Sequence, residues 1–336
     1  MKKVALILAV ILLVILAMSL MACGNLGSDD NPDSGNGDVP IGGIDDPSEK
    51  MSKFDYIESS DGFTITGIKD KNATSIIIPD GVTSIASTAF SRCKSLTSIT
   101  ISSGVTSIGT HVFYECTNLT SVTIPSSVLS IGSGAFSGCT SLTSVTIPSG
   151  ITIIDEYLFF GCTNLKSITI PSSVTSIEQA AFMNCDNLSN VTFGIDSKLK
   201  SIGYFAFGQC TNLKSIVIPS SVKSIGGEAF NKCTSLKSVT FEKGSKLESI
   251  GKSAFYKCTS LENIVIPNSV TSIGVWAFDS CKGLTSVTFE NPNGWYYTSD
   301  VGATSGTSLD LVDPLKNARY MSDGRYYSYY YWYKNN

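Results

Sequence analysis

Residues 119–139 read Leu119-Thr120-Ser121-Val122-Thr123-Ile124-Pro125-Ser126-Ser127-Val128-Leu129-Ser130-Ile131-Gly132-Ser133-Gly134-Ala135-Phe136-Ser137-Gly138-Cys139. Three patterns follow one another in it. Ser121 to Ile124 alternates polar and apolar, as a short half-buried strand does. Pro125 has no N–H to give to a ladder, so the strand ends there. Val128 and Ile131 turn apolar groups inward again across a second short extended piece. Ala135 and Cys139 are four apart, and Phe136 and Cys139 three apart, the spacing of one apolar face on a turn or two of helix. So short a segment cannot bury these groups by itself. A neighbour of the same kind must cover them.

Such neighbours exist. Cys93, Cys116, Cys139, Cys162, Cys185, Cys210, Cys233, Cys258 and Cys281 are separated by 23, 23, 23, 23, 25, 23, 25 and 23 residues. A phenylalanine sits three before each, from Phe90 to Phe278, and a leucine three after each, from Leu96 to Leu284. A period of 23 falls inside the range of leucine-rich repeats. The expected fold is a repeat solenoid: a leucine-rich repeat, right-handed β/α superhelix of about nine 23-residue units, each with a short helical turn, over 76–289. The two longer spacings fall at Gly194-Ile195-Asp196-Ser197-Lys198 and Glu242-Lys243-Gly244-Ser245-Lys246, where proline is replaced. Each reads as a two-residue bulge in a loop.

Composition narrows function. Charged residues are only 15% of 336, against a usual value of about 25%. The 51 serines, with abundant threonine, build a neutral surface instead. A net charge of -4 argues against nucleic acid as a partner. One histidine, His111, leaves little for zinc or for Ser-His chemistry, and it reads as a solvent-exposed variable position. Asp155 and Glu156 are adjacent carboxylates without an evident partner. No metal, cofactor or catalytic residue is expected, and the chain does not read as an enzyme. Charge is uneven along the array: Lys198, Lys200, Lys214, Lys223, Lys237, Lys243 and Lys246 make one end basic.

The ends differ from the middle. Residues 1–22 have a cationic start and an apolar run, and read as a secretory signal. Leu20-Met21-Ala22-Cys23 resembles a bacterial lipobox. That resemblance implies a diacylglycerol on Cys23 and acylation of the new N-terminus, so the membrane is reached through the lipid anchor only. Gly24 after the cysteine, by resemblance to sorting rules, implies the outer membrane and the cell surface. Residues 23–50 are Asp-, Gly- and Pro-rich and read as a disordered tether. Residues 51–75 read as an N-terminal cap, with Phe54–Ile57 and Gly62–Ile68 as a hairpin. Residues 290–336 read as a Tyr-rich C-terminal cap, favoured as a strand pair packed on the last repeat.

The repeat resembles the BspA-type leucine-rich repeat family, in its Ile-Pro…Ile-Gly…Ala-Phe…Cys unit over about residues 63–289. The resemblance implies a solenoid displayed outside a bacterium. It also implies a non-catalytic adhesion or protein-interaction role, with a host matrix protein or a microbial surface protein as partner. The chain departs from the pattern at Ser102, Gly194, Glu242 and Glu290 (proline position) and at Asp155 and Glu178 (glycine position).

Two readings of the repeat cysteines stay open. Export favours disulfides. One cysteine per apolar face favours a stacked column of buried thiols, which is preferred here. Two surfaces are candidates for binding. The outward strand positions Ser98, Thr100, Ser121, Thr123, Ser144, Thr146, Ser167, Thr169, Thr192 and Thr240 form a hydroxyl ladder for protein, with glycan as a further ligand. Threonine also suits a strand for structural reasons alone. The alternative is a carbohydrate-binding aromatic platform in the tail: Trp295, Tyr296, Tyr297, Tyr329, Tyr331 and Trp332.

Overall fold

The computed structural model describes residues 50–303, 305–323 and 330–335. The signal segment, Cys23, the acidic tether and Tyr329 therefore lie outside the described residues. Asp45–Asn336 forms one compact unit.

The solenoid is built on two parallel ladders. The first runs through Ser75–Ile77, Ser98–Thr100, Ser121–Thr123, Ser144–Thr146, Ser167–Ile170, Asn190–Phe193, Ser215–Ile218, Ser238–Phe241, Asn263–Ile266 and Ser286–Phe289, with its hydrogen bonding interrupted after Ser144–Thr146 and after Asn190–Phe193. Its registers join like positions, as in Ile76↔Ile99, Ile99↔Val122 and Val122↔Val145. The strands number one more than the cysteines, because the last strand, Ser286–Phe289, is followed by no Phe-Cys segment. The second ladder holds shorter pieces such as Ser107–Ile108, Ser130–Ile131 and Ser176–Ile177. This is a β-solenoid of about 10 turns with repeats of about 23 residues.

The third side corrects one expectation. The Gly-to-Cys segment is a chain of turns, not a helical turn. In the Gly109–Cys116 rung, two N–H groups do bond three residues back, Tyr114 N to His111 O at 3.2 Å and Cys116 N to Phe113 O at 3.1 Å. Three others, alternating with them, reach forward to the next rung: His111 N to Ser133 O, Phe113 N to Ala135 O and Glu115 N to Ser137 O, at 3.0, 2.8 and 2.8 Å. Positive φ at His111 (55°) and Glu115 (54°) aims those groups forward, and every rung repeats the device. The residue spacing is the same as in one helical turn, so the apolar face survives.

The core is columnar. Phe90 to Phe278 are each fully buried, and successive rings lie 5.1–5.7 Å apart with planes within 1–17° of parallel. That is offset stacking, worth about 0.5–1.5 kcal/mol per pair beyond burial. All nine repeat cysteines are free and buried. From Cys116 onward each Sγ donates to the carbonyl of the phenylalanine one rung back, at 3.0–3.2 Å. Of the two readings, the thiol column is the one seen. Burial pushes Cys116 and Cys233 up to about 12, and the others from Cys139 to Cys258 go well above the usual range for the same reason.

Rungs approach closely at the glycine position. A Cβ on Gly132 would stand 2.7 Å from Thr110 N, which no side chain tolerates. His111 is half-buried rather than open to solvent, its ring lying over Gly134, where a Cβ would meet it at 2.6 Å.

The ends are closed by different means. At the N-terminal end Phe54–Ser59 and Gly62–Ile68 form an antiparallel hairpin, and the latter pairs parallel with Val82–Ile85. At the other end Trp295–Thr298 pairs with Tyr331–Lys334, which pairs in turn with Ser272–Ile273. A helix not expected in the C-terminal cap, α1 (Pro314–Ser322), packs on Ser286–Phe289. Asp313 caps α1 through its side chain, Pro314 opens it, and buried Asn317 donates to Val287 O and Leu311 O at 3.0 and 2.9 Å.

Candidate ligand-binding face

The chain carries two sets of hydroxyls, and they behave differently. One set faces the neighbouring rung. Thr97, Thr120 and Thr143 donate to the carbonyls of Thr74, Thr97 and Thr120 at 2.9–3.3 Å. Ser127, Ser173 and Ser221 donate to Val105, Ile151 and Leu199 carbonyls at 2.6–2.7 Å. These hydroxyls satisfy backbone acceptors between rungs and are committed to the fold.

The other set is the predicted face. Ser98, Thr100, Ser121, Thr123, Ser144, Thr146, Ser167, Thr169, Thr192 and Thr240 are all exposed. The ladder aligns them in two columns: Ser98, Ser121 and Ser144 in one, Thr100, Thr123 and Thr146 in the other. Thr169 and Thr192 share a hydrogen bond at 2.9 Å. Among the described residues the remaining eight hydroxyls have no protein partner, so each can bond water or a ligand. Val217 and Val265, 51% and 48% exposed, interrupt the threonine column with apolar spots.

The face is not flat. A cleft of about 530 Å³ lies over its basic half, lined among others by Thr240, Val265, Lys243, Gly244 and Glu290. The second insert makes this wall. Glu242 and Glu290 stand where other rungs have proline, and their carboxylates accept Ser220 N and Asn268 N one rung back, at 2.9 and 2.8 Å. A carboxylate thus fixes the turn while its neighbours protrude. The first insert projects Ile195, 89% exposed. The seven lysines of the basic half are exposed, and Lys223 pairs with Glu248 at 3.1 Å.

Among the described residues the aromatic platform does not assemble. Trp295 and Trp332 are 2% exposed and Tyr296 is 6% exposed. Their rings close the core: Trp295 meets Phe289 edge-on at 5.1 Å and Trp332 stacks on it at 6.4 Å. Buried faces cannot stack on a sugar. Tyr297 and Tyr331 are half-buried. Asp155 accepts Glu156 N at 2.7 Å, a local turn bond. Among the described residues no group of three His, Cys, Asp or Glu side chains is placed to hold a metal, and no helix is long and apolar enough to cross a membrane.

Stacked strands, a columnar core and a solvent-facing hydroxyl ladder define a leucine-rich repeat solenoid. The family model described as the BspA type leucine rich repeat region matches residues 68–189 and 175–294, in six copies, and the chain belongs to that family. Among solved structures it is similar to a leucine-rich repeat protein of T. pallidum, at 25% identity over 69% of this chain and 88% of that one, TM-score 0.45. It is also similar to a leucine-rich cell surface protein of Faecalibacterium prausnitzii, at 28% identity over 70% and 86%, TM-score 0.37. A third is a leucine-rich repeat protein of Eubacterium ventriosum, at 26% identity over 71% and 70%, TM-score 0.47. No curated protein matches the chain.

Proposed function

We propose that this protein is a lipid-anchored, surface-displayed and non-catalytic adhesion scaffold, held through Cys23 at the outer membrane. Its strand face takes a host matrix protein or a microbial surface protein. One observation carries the reading: eight of the ten Ser and Thr hydroxyls of that face have no protein partner among the described residues, whereas equally exposed hydroxyls a few residues away are tied to neighbouring rungs. A broad neutral ladder gives many weak directional bonds. Ile195, Val217 and Val265 add apolar anchors, and the lysines of the basic half add long-range attraction for an acidic partner. Family membership supports an interaction role. The carbohydrate alternative keeps only Tyr297 and Tyr331 among the described platform residues, and no observation favours it.

The test is an array of immobilised matrix proteins, microbial surface extracts and glycans, probed with the chain from Cys23 onward. The expected result is saturable binding to protein that weakens as salt rises. Binding to glycans alone, or silence across the array, contradicts the scaffold reading.

A further inference from the structure

The two ladders have four ends, and three are closed. The second ladder ends on antiparallel strands at both sides, and the first ends at Ser286–Phe289 under α1. At Ser75–Ile77 nothing covers the first ladder among the described residues. Ile78 N donates to Thr100 O at 2.8 Å, so the groups of residues 76 and 78 face the next rung. Backbone groups alternate along a strand, so those of Ser75 and Ile77 point away from the solenoid. Protein edges are commonly blunted by charge, and Phe54–Ser59 carries Asp55 and Glu58. Ser75-Ile76-Ile77 has none.

A groove of about 630 Å³ lies against this edge. Its lining is apolar, from Phe54, Ile68, Ile76, Ile77 and Pro79, and Ile77 is 73% exposed. Lys50, Lys53 and Lys69 also line it, with Asp70 the one acid in the lining, and Lys69 Nζ donates to Ser52 O at 2.8 Å. We propose that this edge is a second binding site, which takes an extended acidic segment of a partner protein as an added strand. The outward groups of Ser75 and Ile77 supply main-chain bonds. The groove takes alternate apolar side chains, and the lysines select acidic ones between them. A second copy docking edge to edge would set lysines against lysines, so charge excludes that occupant.

The probe is a labelled peptide of alternating valine and aspartate, read by fluorescence anisotropy on the chain from Cys23 onward. Expected is saturable binding that falls with salt. Three changes should each weaken it roughly tenfold: lysine in place of aspartate in the peptide, N-methylation of alternate peptide nitrogens, and Ile77→Pro in the protein. The first two need no folded variant. Charge insertions on the strand face, as Thr123→Glu and Thr146→Glu, should leave this binding unchanged, which separates the edge from the adhesive face. Equal binding of the lysine or N-methylated peptide overturns the proposal. So does binding that appears only once residues 24–44 are removed, which would assign the edge to the chain's own N-terminal segment.

Discussion

At the scale of single residues, the Phe and Cys columns decide stability. Phe182 stacks on Phe159 at 5.3 Å and on Phe207 at 5.1 Å, so its loss opens two contacts and a central void. Phe182→Ala should cost about 3–5 kcal/mol by urea unfolding. Phe90→Ala, stacked only on Phe113 and met by Phe54 edge-on at the longer distance of 6.3 Å, should cost less. Equal losses would mean that stacking between rungs adds nothing. The thiols give a pH prediction. Cys116 and Cys233 are pushed to about 12 in the fold, against 9.0 for an ordinary thiol. A raised folded value favours the neutral form, so the stabilising contribution is complete below about pH 9 and is lost as pH rises from there to about 12. Unfolding midpoints should therefore fall across that alkaline window, and less steeply in Cys233→Ala. Thiol reagents at neutral pH should label none of the nine buried cysteines until the chain unfolds; rapid native labelling would contradict the column.

At the scale of elements, caps carry the weight that repeats carry elsewhere. Asn317 on α1 is fully buried and ties the last strand through Val287 O. Asn317→Ala leaves that carbonyl without its donor and should cost about 1–3 kcal/mol. Leu315→Ala, on the exposed side of α1 at 53% exposure, should stay within about 0.5 kcal/mol. Thermal unfolding of the two variants checks the difference. Sequence pattern showed the strands, because alternation in Ser121–Ile124 and the Pro125 stop are local chemistry. It misread the Gly-to-Cys segment because i, i+3 spacing is common to helix and to consecutive turns. Only the forward bonds from His111, Phe113 and Glu115 tell them apart, and those depend on a neighbour. The helix α1 had one local signal, Asp313-Pro314 as cap and first turn, within a tail dominated by tyrosine.

At the scale of the molecule, each rung buries its apolar groups only against its neighbours, so a regular surface arises without further instruction. The position of the hydroxyl face was legible from alternation alone. Its availability was not, because Thr120 and Thr123 are the same residue type three apart. One is spent on Thr97 O, and the other is free of protein partners among the described residues. Burial of the tail tryptophans was equally hidden, since an aromatic run suits a cap and a sugar platform alike. The most direct test of the strand face compares a triple variant with a turn-side double variant against a partner found on the array. Thr123→Glu, Thr146→Glu and Thr169→Glu should weaken binding roughly tenfold or more without changing the unfolding midpoint. Ser133→Glu and Gln179→Glu on the turn side, one rung either side of Glu156, should leave binding as it was. Loss of binding from the turn-side set, with the strand-face set still binding, would contradict the account.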